Sequence, residues 1–298
     1  MNRIPFFYLN REYKKYKSEI FKRFDTSLEK GQVLQSKSVT NLENYLAKLH
    51  NRKYCITTGS CTDALYFSLI SLNLKKNDEV LVTSFSYIAS ATCIVRAGLK
   101  PVFVDIDHNY EMDMHDANLK ISNKTKCIIA VNIFGKALSR SKIRKFAKKN
   151  KLKIIEDNAQ SFGAISEGEV SGKMGDFSCL SFDPTKLISA YGSGGAILTD
   201  SLEKYKRLKR LRYHGKQDGK FLELGYNSQL SSMNAELLMF KIILEKKIRN
   251  KRIEFAKAYI ENLNNTYMVP NFSPNYNHVF HKFVISTKKR DKLFLFCK

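Results

Sequence analysis

Short apolar runs rich in β-branched residues recur along the first two thirds of the chain, at 54–57, 79–83, 101–104, 127–131, 153–155, 177–182 and 195–199. Runs without polar alternation are the pattern of strands buried on both faces. Helical periodicities separate most of them, so strands and helices alternate. That alternation predicts an α/β fold with right-handed crossovers, a mostly parallel central sheet covered by helices on both faces, and ligands at the carboxyl ends of the strands. Residues 202–213 read as a basic helix stopped at His214-Gly215, with no catalytic role for the histidine. Residues 232–263 read as one long helix with Ala235, Leu238, Met239, Ile242, Ile243 and Leu244 on its apolar side, followed by a polar, proline-containing loop over 264–278.

Two segments at the ends of these runs carry chemistry. Glu156-Asp157-Asn158-Ala159-Gln160-Ser161-Phe162-Gly163-Ala164 places carboxylates just after the apolar stretch 152–155. Ser181-Phe182-Asp183-Pro184-Thr185-Lys186, running into Tyr191-Gly192-Ser193-Gly194-Gly195-Ala196, sets one lysine in an apolar, glycine-punctuated stretch. A lysine that forms a Schiff base with an aldehyde cofactor must be able to lose a proton, which partial burial favours. A pyridine ring works as an electron sink when its nitrogen stays protonated, and a carboxylate beside that nitrogen supplies the bias. Lys186 and Asp157 are the candidates, and together the segments look like a pyridoxal phosphate site. Alone, a Glu-Asp pair after a strand is more often a solvated strand end or a helix cap; the combination with Gln160, Ser181 and Lys186 is what carries the reading.

The order and spacing of these motifs resemble the DegT/DnrJ/StrS family of sugar aminotransferases, fold type I enzymes that use pyridoxal phosphate on nucleotide-linked keto sugars. The resemblance runs from around Pro5 to the chain end. It implies that Lys186 is the Schiff-base lysine, that Asp157 partners the pyridine nitrogen, that Gln160 donates to the phenolic oxygen and that Ser181 is a phosphate ligand. In Thr58-Gly59-Ser60-Cys61-Thr62-Asp63 it implies a phosphate-binding turn and helix start, with Ser60, Cys61, Thr62 and the backbone of Asp63 as ligands. Tyr87 in Ser84-Phe85-Ser86-Tyr87 takes the place of the ring that stacks on the pyridine, and Asn227 in Gly225-Tyr226-Asn227-Ser228 that of an asparagine reaching the partner subunit's cofactor phosphate, hence a homodimer. Without the resemblance, Ser60 is an ordinary helix cap, Tyr87 a strand-end aromatic and Asn227 a loop asparagine. Residues 278–285 resemble the first strand of the family's small domain. The implied organisation is an N-terminal arm and helix (1–30), a large cofactor-binding domain (31–235), and a connecting helix with the start of a truncated small domain (236–298).

Composition narrows the setting. With 298 residues and 43% hydrophobic content the chain can bury a sizeable core. No run approaches a membrane span, the N-terminus lacks a signal-peptide pattern, and the six cysteines show no CxxC spacing, so a cytoplasmic enzyme with free thiols and no metal is expected. The formal net charge of +23 would suit nucleic acid or a strongly anionic substrate. The lysines are spread along polar helix faces, which makes a solvated basic surface the expectation and specific nucleic-acid binding not.

The resemblance implies a two-step transamination, from L-glutamate onto a keto group of a nucleotide-diphosphate sugar for surface polysaccharide or glycoconjugate synthesis. The segments around Lys186 and Asn227 look most like the branch acting on 3-keto sugars, with 4-keto sugars as the alternative. A related dehydratase branch carries histidine where this chain has Lys186. Ser36, Asn158, Ser193 and Gln229 depart from residues common in the family, and Gln229 stands where an arginine is frequent. The shortened C-terminal region leaves as the second expectation a catalytically impaired protein with a binding or regulatory role.

Overall fold

The computed structural model describes residues 9–263, 267–270 and 278–297. Residues 1–8, with Pro5, and most of the loop expected at 264–278 lie outside the described residues. Helices α1 (Leu9–Leu28) and α2 (Lys37–Leu49) come first, and then strands and helices alternate: β1 (Tyr54–Thr58), α3 (Cys61–Ile70), β2 (Glu79–Thr83), α4 (Ala89–Arg96), β3 (Lys100–Val104), α5 (Met114–Lys120), β4 (Thr125–Val131), α6 (Arg140–Lys149) and β5 (Lys153–Asp157). A hairpin of β6 (Ile165–Ser166) and β7 (Glu169–Val170) leads to β8 (Phe177–Ser181), β9 (Gly195–Thr199) and α7 (Leu202–Arg212). The hairpin β10 (Lys216–Gln217) and β11 (Lys220–Phe221) precedes α8 (Ser232–Leu263) and α9 (Arg290–Cys297).

Seven strands form one sheet in the order β1-β9-β8-β5-β4-β2-β3. Neighbours from β8 to β3 pair in parallel. Strand β9 runs antiparallel to both β1 and β8, because the connection 182–194 contains no helix and cannot make the crossover that a parallel return needs. That connection folds back over the carboxyl end of the sheet and carries Lys186 with it.

Alternate residues along each strand feed cores on opposite faces. Val80, Val82, Ile129 and Ile155 pack with Phe67 and Leu69 of α3, while Leu81, Ile128, Ala130 and Ile154 pack with Ile143, Phe146 and Ala147 of α6. Both sets are apolar because both faces are covered, which is why the runs show no polar alternation. Helix α3 is buried from Ala64 through Leu69. A Cβ on Gly195 would lie 2.5 Å from the carbonyl carbon of Ser60, so only glycine lets β9 press against the turn that opens this helix.

Helix α8 joins two packing regions. Its Ala235, Leu238 and Ile242 enter a cluster with Leu42, Leu180 and Leu198, and its Ile253 and Ala256 pack on Phe280 and Phe283. The apolar side expected for it needs one correction: Ile243 is 70% exposed, and Lys241 is buried instead. Its ammonium donates to Ser189 Oγ at 2.9 Å and pairs with Glu12 of α1, contacts that compensate its desolvation. The strand expected at 278–285 also needs correction. Only isolated bridges form, Lys136 with His278 and Met268 with Ser286, since Phe280 at φ +49° breaks the extended backbone. Among the described residues no helix is long and apolar enough to cross a membrane.

Candidate active site

The carboxyl ends of β1, β2, β4, β5 and β8 open into one cavity of about 580 Å³. Ser60, Cys61, Thr62, Tyr87, Asp157, Gln160, Ser181 and Lys186 all line it. Residues from distant parts of the chain meet there because the parallel strands place their ends on one side of the sheet.

Asp157 is the electrostatic centre. As the last residue of β5 it turns into the cavity, while its neighbour Glu156, one pleat earlier, accepts hydrogen bonds from Asn132 Nδ2 at 2.9 Å and from the backbone N–H groups of Gly172 and Met174 on the other side. Asp157 Oδ2 accepts from Ser90 Oγ at 2.8 Å and Oδ1 from the Ala159 N–H at 3.1 Å. Burial pushes its pKa up, against the opposing pull of those two donors and of the Lys186 charge. Among the described residues it forms no ion pair. A buried carboxylate held by neutral donors inside a cavity is a site prepared for a cation, and the protonated nitrogen of a pyridine ring fits it.

The α3 end of the cavity is suited to an anion. Ser60 caps α3, its Oγ accepting from the Asp63 N–H at 3.1 Å, and Ser60, Cys61 and Thr62 present the helix N-terminus to the cavity, with Ser181 alongside. A helix start facing a cavity favours an anion through its dipole and its unpaired N–H groups. Burial and then Asp157 push the Cys61 thiol well up, so it stands there as a neutral group. Gln160 Oε1 accepts from the Phe134 N–H at 2.7 Å, which fixes the amide and leaves its NH2 as the donor. Tyr87 is 71% exposed at the rim.

Two expected residues lie outside the cavity lining. The Asp63 backbone N–H is engaged by the Ser60 cap, and its carboxylate holds Arg96 Nη1 at 3.0 Å and Ser228 Oγ at 2.8 Å. Ser228 Oγ in turn accepts from the Gly59 N–H at 2.9 Å, so Asp63 ties the 225–230 segment to the turn before α3. Asn227 sits on that segment, its Oδ1 accepting from Gln229 Nε2 at 3.3 Å.

Three residues that motif reading passed over belong to the site. Ser90 positions Asp157 and is itself in contact with Ser86 Oγ at 2.9 Å; the signal was the spacing of one helical turn between the two hydroxyls. Phe134 lines the wall. His281, 8% exposed, faces the cavity with a buried Nδ1 that has no hydrogen-bond partner among the described residues. Its pKa is pushed down to about 3 by burial and then by Lys186 and Lys282, and that of His278 to about 3 by burial and then Lys136.

These histidines set an acid limit. Unfolded imidazoles protonate near 6.5 and the folded ones near 3, so between those values the unfolded chain binds more protons and stability is lost as the pH is lowered. Melting temperature measured in steps from neutral pH down should decline through that window. The slope should be shallower in His278→Asn, whose Oδ1 can still accept the Phe280 N–H that Nδ1 accepts at 2.9 Å.

Comparison with known proteins agrees with this geometry. The DegT/DnrJ/EryC1/StrS aminotransferase family model matches residues 14–298. The chain is 33% identical to a pleiotropic regulatory protein of Geobacillus stearothermophilus over 99% of this chain and 81% of that one. It is 35% identical to the dTDP-3-amino-3,6-dideoxy-alpha-D-galactopyranose transaminase of Aneurinibacillus thermoaerophilus, over 97% of this chain and 80% of that one. The solved structure of DesV from S. venezuelae superposes with a TM-score of 0.94 at 28% identity, covering 98% of this chain and 80% of that one. The chain therefore belongs to the DegT/DnrJ/EryC1/StrS aminotransferase family and is a pyridoxal phosphate-dependent sugar aminotransferase.

Proposed function

We propose that the protein transfers an amino group from L-glutamate to the keto group of a nucleotide-diphosphate sugar, with a 3-keto sugar preferred to a 4-keto sugar. The observation that carries the reading is the buried carboxylate of Asp157, in no ion pair among the described residues, in the same cavity as Lys186 and the N-terminus of α3. The relative from A. thermoaerophilus, named for a 3-amino sugar, supports the choice of carbon.

Ser60, Cys61, Thr62 and Ser181 would hold the cofactor phosphate, Asp157 the ring nitrogen, Gln160 the phenolic oxygen and Tyr87 one face of the ring. Bound pyridoxal phosphate supplies an aldehyde that takes up the amine and a protonated ring that accepts the electron pair left when the donor's Cα–H bond breaks. Lys186 is the base that removes that Cα proton, and it returns a proton to the sugar carbon in the second half of the cycle. Asp157, kept ionised by the ring N–H, holds that proton on the nitrogen. Asp63 acts through Ser228 and Gly59, setting the turn that binds phosphate.

The working unit is a homodimer in which Asn227 reaches the partner's phosphate site. Exposed apolar side chains support it on both segments concerned: Tyr87 and Ile88 at the rim, and Phe221, Leu222 and Leu224 before Asn227. The reading of an impaired protein is not favoured, because Lys186, Asp157, Gln160, Ser181 and the start of α3 all meet in one cavity.

Absorption spectra test the reaction. Protein loaded with pyridoxal phosphate should show a visible band that L-glutamate bleaches, and a nucleotide-diphosphate 3-keto sugar should restore the band faster than its 4-keto isomer. A band indifferent to glutamate would refute the donor, and faster recovery with the 4-keto isomer would refute the regiochemistry.

A further inference from the structure

Beside the main cavity lies an annex of about 260 Å³, and Phe134 and Lys282 belong to the walls of both. Tyr110, Lys136 and His278 line the annex as well. Its walls are held in costly conformations: Tyr110, Phe134 and the neighbouring Phe280 adopt left-handed φ angles of +62°, +57° and +49°. Bulky residues persist there only where their surroundings over-determine them, typically around functional sites. The rings of Phe85, Tyr110 and Phe134 pack mutually with centroids 5.6 to 6.0 Å apart, and Phe280 stacks on His278 at 4.1 Å. These ring contacts and left-handed turns fix the shape of the cavity.

The annex is furnished with donors and cations. Lys136 Nζ is fixed by Glu111 at 2.8 Å and keeps further N–H donors. His278 Nδ1 accepts the Phe280 N–H, so in the neutral ring the proton is on Nε2, a second donor. Lys282 adds its ammonium group, which burial and then Arg252 and Lys186 weigh against. Crowded cations gain when an anion enters. Among the described residues that line the annex there is no carboxylate.

We propose that the annex is an anion subsite, in which Lys282, Lys136 and His278 hold a carboxylate or phosphate group of a substrate whose reacting carbon lies in the main cavity. The inference rests on the transamination reading for the position of that carbon. Its volume accommodates an acidic group on a short carbon stem. Two substrates could bring such a group: the donor, through its side-chain carboxylate, or the acceptor sugar, through an acidic substituent.

Calorimetric titration of the protein loaded with pyridoxal phosphate, using glutarate and inorganic phosphate as probes, tests the subsite directly. Lys282→Met and Lys136→Met should each bind both probes about tenfold more weakly, the loss of one charge-assisted contact, and Lys282→Arg should recover the affinity. Wild-type affinity in both methionine variants would overturn the proposal. The bleaching rates with glutamate and with alanine identify the source. A preference for glutamate that collapses in Lys282→Met assigns the donor carboxylate, whereas an unchanged preference alongside weakened glutarate binding assigns the acidic group to the acceptor. A visible band in wild type that no amino donor bleaches would instead refute the transamination reading, and the titration of the loaded protein would still report on the annex.

Discussion

Lys186→Ala is expected to fold normally, to show no visible cofactor band and to lose at least about 10³-fold in transamination rate, the scale of a removed proton-transfer group. The fold should survive because Lys186 lies in the β8–β9 connection, half-buried and outside the apolar clusters. The neighbours Leu187 and Ile188 keep their burial whatever stands at 186. Lys186→Arg sharpens the test. It keeps a positive charge in the cavity, but a guanidinium remains protonated and offers neither a nucleophile nor a base. If charge alone mattered, the arginine variant would retain activity; if the amine is required, both variants fail alike. Absorption spectra and single-turnover rates with glutamate decide between them, and a normal band in Lys186→Ala would remove Lys186 from its role.

Asp157→Asn should move stability and activity in opposite directions. Burial raises the pKa of Asp157, so the unfolded chain gives up this proton at lower pH than the folded one. Where the unfolded state binds fewer protons, stability falls as pH rises. In cofactor-free protein the group therefore destabilises the fold from the ordinary carboxylate range upward, and the neutral amide should raise the melting temperature near neutral pH, by about 1–2 °C for each kcal/mol gained. Ser90 can accept from the new amide N–H as readily as it donates to the carboxylate. Activity should drop about 10²-fold or more, the scale of lost electrostatic stabilisation, because an amide cannot hold a proton on the ring nitrogen. Thermal denaturation without cofactor and turnover with it measure the two effects. A variant less stable than wild type would show that the carboxylate is a structural acceptor and not a group waiting for a cation.

Much of the architecture was legible locally. Strands β2 and β9 and helix α8 occupy the residues that periodicity assigned to them, since a strand buried on both faces and a long amphipathic helix each leave a pattern in their own segment. The cluster of motifs ending in Asp157 and Lys186 was legible as well, because the reaction demands particular residue types at particular strand ends. The reversal of β9 was not, as it depends on how the connection 182–194 returns across the sheet. Nor was the buried state of Lys241, which a periodic pattern marks as exposed and which Glu12 and Ser189 make tolerable from far along the chain. The failure of 278–285 to form a strand follows from its bridge to Lys136 and the left-handed Phe280. Local sequence determined which segments are strands and helices and which residues can do the chemistry. The tertiary structure decided which carboxylate faces the cavity, that Ser90 supports it from 67 positions away and that the annex exists, because burial and hydrogen-bond partners are set by contacts between segments that no single segment encodes.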